Sequence, residues 1–298
     1  MAFHAVADVV FGLRFPLGAL SSDETFGHFR AWAAGWFTLG MDLPFSTYRR
    51  ALQAREALVD ALTEELEHIA KHPESDRQPG LRELVAARDN DGYRLSTSEI
   101  IANIIGTIFA GYSTVAGMSM QMMMALAKHP KVWNKLKDEQ ERVVAELGPQ
   151  VTGTALGRMS YAEAVIREVC RTAKFGPQFR LVTEAMDVDG YHIPKGWLLV
   201  LYAAFSECYL DDRWPMDDSF DPDRHLSVPD SRKRWPLNFG WGPHVCMGRF
   251  LSMVELKALL ASLARGYTVE LLEPDAELRF PTMEPPGGMP VVVRRSDG

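Results

Sequence analysis

Apolar residues recur at three- and four-residue spacing through most of positions 1–175, so this stretch reads as a succession of amphipathic helices. Residues 2–13 predict a short one. Ser21-Ser22-Asp23-Glu24 caps the next, which is rich in Phe and Trp and runs to about Leu39. Pro44-Phe45 breaks the chain, and a long helix over 46–72 follows. Its opposite charges at i,i+4, such as Glu67 and Lys71, mark a solvated face. Residues 73–80 read as a polar loop and 81–88 as a further helix. Asn90-Asp91-Gly92 is a turn, and Ser96-Thr97-Ser98-Glu99 is a capping signal. The run 100–127 is very apolar, and Asn103, Thr107, Ser113 and Thr114 within it point to the central helix of a soluble protein. Helices over 130–146 and 161–173 complete this part.

The period changes over 176–298. Short pieces with alternating character, around Val182, at 186–188, 190–193 and 197–202, read as strands joined by turns such as Pro194-Lys195-Gly196. An irregular region, 211–235, precedes a Gly-rich loop and a last helix over 249–265. Residues 267–272 and 289–294 read as strands. The sum is a mainly α chain with a small β part, organised as one domain over 1–298.

Composition narrows the function classes. A 298-residue chain that is 47% hydrophobic can bury a sizeable core. A net charge of −7 argues against a nucleic-acid partner. Three cysteines, Cys170, Cys208 and Cys246, show no paired spacing, which fits a reducing compartment. No uninterrupted apolar run reaches the roughly 18 residues of a membrane span. Nor does the N-terminus resemble a signal peptide. A cytoplasmic location is the expectation.

The candidate chemistry centres on Phe239-Gly240-Trp241-Gly242-Pro243-His244-Val245-Cys246-Met247-Gly248-Arg249. Two glycines at alternate positions free the backbone, and a proline then stiffens the turn. Cys246 lies just before a helix start, where free N–H groups and the helix dipole favour a thiolate. One thiolate on a rigid loop, without zinc-finger partners, suits a single axial bond to a haem iron. A structural cysteine beside a Gly-rich turn is the other reading.

The run Phe-Gly-x-Gly-x-His-x-Cys-x-Gly resembles the haem-binding loop of the cytochrome P450 family, and Glu255 matches as well. Ser252 stands where the family usually has alanine. The resemblance implies haem b (iron protoporphyrin IX) held by Cys246, with Phe239, Gly240 and Gly248 forming the loop around it. Glu168 and Arg171, an ordinary i,i+3 ion pair on spacing alone, resemble the family's Glu-x-x-Arg motif. Phe220-Asp221-Pro222-Asp223-Arg224 resembles its second arginine motif. The implied role of Glu168, Arg171 and Arg224 is structural, a charged cluster behind the cysteine loop. Cys208 stands where the family usually has a histidine and is assigned no role. The resemblance makes Arg180 and His244 propionate ligands, although His244 also reads as a solvent-facing loop residue.

Phe109-Ala110-Gly111-Tyr112-Ser113-Thr114 resembles the oxygen-activation motif of the family. That implies a helix opened locally at Gly111 to admit dioxygen, and a Thr114 hydroxyl that assists proton delivery. The other reading of Thr114 is a hydroxyl bonded back to its own helix. Ser113 replaces the family's acidic residue, and a serine relays a proton without storing a charge. Ala110, which also borders the haem, Phe175, Pro177 and the loop 285–289 would line the substrate side.

Within the family, residues 179–197 and 32–45 look most like the retinoic-acid hydroxylase branch and its bacterial relatives. The implied fold is a cytochrome P450 fold without its N-terminal portion. A sheet edge would then be left unpaired; a mis-assigned start, a natural minimal form, and a fold completed by a second chain or an oligomer all stay open. The implied reaction is insertion of one oxygen atom from O2 into a C–H bond of a lipophilic small molecule. No flavin or ferredoxin module is legible, so electrons would come in trans from a ferredoxin, a flavodoxin-type donor or a reductase. Two alternatives stay open. One is a non-catalytic haem-binding or interaction protein, and the other is a peroxide-driven or rearranging haem-thiolate enzyme.

Overall fold

The computed structural model describes residues 2–36, 38–72, 78–173, 178–201, 219–227, 235–278, 285 and 288–295. Phe175, Pro177 and Cys208 lie outside them. Two compact units are present, Met1–Thr114 and Val115–Gly298.

The first unit holds α1 (Ala2–His4), continued by a π-helical segment (Ala5–Val10), then α2 (Ser22–Ala34), α3 (Thr47–Lys71), α4 (Pro79–Ala86) and the first part of α5 (Thr97–Lys128). Ser21 and Glu24 cap α2 reciprocally, Glu24 N–H to Ser21 Oγ at 3.3 Å and Ser21 N–H to Glu24 Oε2 at 2.9 Å. Ser96 and Glu99 make the same pair before α5. Ser46 accepts Arg49 N–H at 3.0 Å and starts α3. The expected starts hold within a few residues, but α2 ends at Ala34 and not at about Leu39.

Along α3, Ala51, Ala54, Leu58, Ala61, Leu62 and Ile69 are buried, the spacing of one helical face. Small residues let α2 come close. A Cβ on Gly35, at the end of α2, would lie 2.3 Å from Ala51 Cβ. Phe3, Phe26, Phe29 and Tyr112 pack ring to ring with centroids 5.2–6.3 Å apart.

The second unit contains the rest of α5, α6 (Pro130–Leu147), α7 (Gly153–Arg158), α8 (Ser160–Thr172), α9 (Asp223–Leu226) and α10 (Arg249–Gly266). Helix α8 is the most deeply placed, burying nine residues from Tyr161 to Arg171. Its N-terminus is closed by α6. Glu139 accepts Tyr161 N–H at 2.5 Å and Ala162 N–H at 3.0 Å, taking up donors the helix cannot satisfy itself. Burial nonetheless pushes the Glu139 carboxyl up, against the pull of those bonds.

Among the described residues the β part is three two-stranded antiparallel sheets. They pair β1 (Gln178–Leu181) with β4 (Leu198–Leu201), β2 (Met186–Val188) with β3 (Tyr191–Ile193), and β5 (Tyr267–Leu271) with β6 (Val291–Arg295). The outer edges of β1 and β4 carry no third strand there. Phe179 opposite Val200 and Leu181 opposite Leu198 stand exposed on one face.

Three expectations need revision. Helix α9 lies in the stretch 211–235 read as irregular, and α7 in a stretch that carried no reading, because each is short and set by neighbours rather than by periodicity. Helix α5 does meet the length and apolarity of a membrane-crossing helix, since its charged residues, Glu99 and Lys128, stand at its two ends; half of its most apolar stretch is buried inside the protein. The first helix ends as a π segment at Val10 and not at Leu13.

Candidate cofactor site

The cysteine loop is built by backbone bonds. Leu237–Phe239 forms one 3-10 turn and Gly242–His244 another. Gly240 (φ 75°) and Gly242 (φ 68°) supply the left-handed conformations between them. The chain then folds back: Cys246 N–H donates to Phe239 C=O at 2.7 Å, and Val245 N–H to Gly242 C=O at 3.1 Å. Helix α10 starts three residues after Cys246, and Arg249 Nη1 donates to Cys246 C=O at 3.0 Å. The backbone of Cys246 is thus fixed from both sides while its side chain is exposed. A Cβ on Gly248 would stand 3.9 Å from Sγ, an ordinary van der Waals contact.

Aromatic and cationic groups brace the loop. The Trp235 ring lies edge-on to Phe239 at 5.4 Å and to Phe250 at 5.0 Å. The Arg249 guanidinium sits 5.7 Å from Trp235 and 4.7 Å from Phe250, and Arg167 of α8 reaches Trp235 at 6.0 Å.

Behind Trp235, helix α8 carries a buried charged cluster. Glu168 and Arg171 are fully buried, joined by two hydrogen bonds of 2.9 and 3.1 Å. Arg171 also donates to Ser219 C=O. Asp221 N–H donates to Glu168 Oε1 at 3.0 Å, Arg224 Nε lies 3.2 Å from the same oxygen, and His225 Nε2 donates to Oε2 at 2.9 Å. Arg224 Nη2 reaches Ser219 Oγ at 3.1 Å. The structure brings Glu168, Arg171 and Arg224 together, and adds His225, which the sequence reading missed. Burial raises the Glu168 carboxyl, but the bonds from His225, Arg171 and Asp221 outweigh it and hold it below the usual range. Burial pushes His225 down, with Glu168 pulling the other way.

Arg180, on β1, is half-buried and donates to Phe179 C=O at 2.8 Å and to Gln178 Oε1 at 3.4 Å. The Gln178 amide lies 3.5 Å from where a Gly240 Cβ would stand, so β1 abuts the cysteine loop. His244 is exposed on the second 3-10 turn. Glu255 of α10 is buried with both carboxylate oxygens lacking a hydrogen-bond partner, and burial pushes its pKa up.

The candidate oxygen-activation residues belong to the first unit. Helix α5 stays a regular α-helix through them. Ala110 and Thr114 are both exposed, one turn apart, and Thr114 Oγ1 donates to Ala110 C=O at 2.6 Å. That is the back-bonded reading of the threonine. Ser113 is buried on the packed side. The expected opening at Gly111 is not present. The missing Cβ there admits Val6 instead, whose Cγ2 would lie 2.5 Å from it. Phe109 packs under Trp36 at 4.8 Å and Trp32 at 5.5 Å. Of the remaining substrate loop, Pro285 is buried, and Gly288 and Met289 are described.

The donor set fits an iron porphyrin. One exposed thiol stands on a rigid loop beside apolar Phe239 and Phe250, with a guanidinium on the adjoining strand. Among the described residues no group of three or more His, Cys, Asp or Glu side chains is placed to hold a bare metal ion.

The family model described as Cytochrome P450 matches residues 30–291. Cytochrome P450 26B1 of Xenopus tropicalis is 31% identical over 98% of this chain and 57% of its own length. Ent-kaurenoic acid oxidase 2 of Arabidopsis thaliana is 31% identical over 81% and 50%. The solved structure of retinoic acid-bound cyanobacterial CYP120A1 matches with a TM-score of 0.80 at 24% identity, over 99% of this chain and 67% of that one. At that identity the likeness concerns the fold. The chain spans about half the length of the curated relatives it matches.

Proposed function

The chain belongs to the cytochrome P450 family, a family of haem proteins, and from that premise we propose that it is a haem-thiolate monooxygenase acting on lipophilic small molecules. The observation that carries the proposal is the exposed Cys246 side chain, on a loop whose backbone is held by Phe239 and Arg249.

When bound, haem supplies the iron at which dioxygen, two electrons and two protons give one hydroxylated product and one water. Cys246 would hold the iron through its exposed sulfur, as a thiolate. The buried Glu168–Arg171–His225 cluster and Trp235 hold the loop in register. Arg180 would offer its guanidinium to a haem propionate, and His244 would serve the other propionate. Thr114, once its hydroxyl turns from the Ala110 carbonyl, would offer an exposed proton donor on α5. Ala110 and the aromatic Phe109 and Trp36 give the substrate side its apolar character. Electrons come from a separate donor of ferredoxin, flavodoxin or reductase type, in the cytoplasm. The relatives act on or bind lipophilic acids by their names, ent-kaurenoic acid and retinoic acid, which supports a substrate of that class.

The test is turnover of such acids by haem-loaded protein with a reductase system under isotopically labelled dioxygen. One labelled oxygen atom in the product is expected, and unlabelled product or none overturns the reading. Ser113 favours a second reading. With a buried hydroxyl in place of an acid, peroxide would drive the reaction better than dioxygen. Activity with hydrogen peroxide and none with reductase would select it.

A further inference from the structure

A cavity of about 410 Å³ opens in the second unit, on residues that neither the cysteine loop nor its charged cluster uses. One wall is a single face of α5, where Gln121, Met124 and Lys128 recur at i, i+3 and i+7 over the last two turns. Val169 and Thr172, at the end of α8, form a second wall, and the segment 275–278 after β5 forms the third. Gln121 and Val169 are buried and make the floor, while Lys128, Asp275 and Glu277 are exposed and ring the mouth. The volume falls among those of sites for small organic molecules, roughly 300–1,000 Å³.

The mouth selects a charge. Lys128 Nζ pairs with Asp275 Oδ1 at 2.6 Å, which ties the end of α5 to the turn where Ala276 N–H donates to Glu273 C=O at 3.2 Å. That ion pair sums to zero, and among the described lining residues Glu277 adds one more carboxylate. Lys128 is the last residue of α5 and Thr172 the last of α8, so two helix C-termini, each the negative end of a dipole, meet at the cavity. The Thr172 hydroxyl donates to its own helix, at Glu168 C=O 3.2 Å away, and turns acceptor lone pairs to a ligand. Met124 and Val169 supply adaptable apolar surface below.

We propose that this cavity binds an amphipathic ammonium compound, a molecule with one cationic nitrogen and a short apolar body. The cation sits at the mouth beside Asp275 and Glu277, and the hydrocarbon lies against Met124 and Val169. Lys128 competes with it for Asp275. Val169 and Thr172 directly follow Glu168 and Arg171 in α8, so an occupant packs against the turn that carries the charged cluster, and its binding stabilises the folded chain. The site uses none of the residues proposed for haem, so it stands or falls apart from the proposed reaction.

Haem-loaded full-length chain is titrated with hexyltrimethylammonium, whose charge is fixed and whose nitrogen has no lone pair to offer iron. Binding is followed by calorimetry and by the Soret band. Saturable binding of one molecule per chain at sub-millimolar concentration is expected, with the Soret band unchanged and the melting temperature raised. Hexanoate should bind at least tenfold more weakly. The double variant Asp275→Asn/Glu277→Gln, at exposed positions, should weaken the ammonium at least fivefold, whereas Lys128→Met should tighten it by releasing Asp275. Met124→Trp fills the cavity and should abolish binding while the helical circular dichroism is kept. The proposal is overturned by any of four results: no saturable binding at millimolar concentration, hexanoate binding as well as the ammonium, weaker binding in Lys128→Met, or binding like the wild type in Met124→Trp or in the double variant. A Soret shift that persists in Met124→Trp would put the compound at the haem, and overturns it equally.

Discussion

Glu168 concentrates more of the second unit's polar order than any other described side chain, since Arg171, Arg224, His225 and the Asp221 backbone all converge on its two oxygens. A carboxylate buried this completely is tolerable only because each lone pair is met. Arg171→Met leaves that charge short of its main partner, and should cost about 3–5 kcal/mol in urea unfolding. A loss below about 1 kcal/mol would contradict the cluster's structural role. The same residues set an acid limb. His225 has a folded pKa below its ordinary 6.5, so its contribution is complete above that value and is lost as the pH falls through the folded one. Glu168 has a folded pKa below 4.5, so its contribution is complete above 4.5 and is lost further into the acid range. Stability should therefore fall in two steps as the solution is acidified. His225→Gln keeps an N–H donor toward Glu168 but does not titrate. It should remove the first step and leave the second, and a first step unchanged in the variant would rule out His225 as its source.

Helix α5 shows why a motif and its local structure are separate matters. Gly111 reads from its neighbours as a hinge for oxygen, yet the helix is unbroken there and the glycine admits Val6. Gly111→Ala should destabilise by about 1–3 kcal/mol through overpacking. Val6→Ala added to it should recover most of the loss, as thermal melts would report. Failure of the double variant to recover stability would mean that the glycine is required for another reason. The helices that announced themselves did so through caps and periodicity: Ser21–Glu24 and Ser96–Glu99 marked starts that the structure keeps. Helix α7 hid because Gly153 and Gly157 blur a six-residue pattern, although Thr152 caps it, accepting Ala155 N–H at 3.2 Å. Helix α9 and His225 hid because four residues carry no period. Their place is dictated by Glu168, more than fifty positions earlier, and no local rule relates the two. Trp235 was likewise silent in sequence. Its bracing of the loop depends on Arg167 and Arg249, which only the tertiary structure assembles.

Across the whole molecule, the cysteine loop, its charged cluster and the strand bearing Arg180 all fall within Val115–Gly298, so the proposed cofactor grip belongs to one compact unit. Ala110, Gly111, Ser113 and Thr114, proposed for oxygen, belong to Met1–Thr114, while the substrate loop 285–289 belongs to the second unit. The exposed apolar pairs of β1 and β4 are surface that an isolated two-stranded sheet leaves uncovered. Haem bound to the folded chain stabilises it by mass action, so loading should raise the melting temperature as haem is added. The proposed function rests on one bond, the one proposed from Cys246 to iron. The measurement that tests it most directly is the reduced carbon-monoxide difference spectrum of the haem-loaded chain, beside Cys246→Ser. The wild type should show the red-shifted Soret band of thiolate ligation and the variant should lose it. The same band in both proteins, or no such band in the wild type, would contradict the assignment of Cys246.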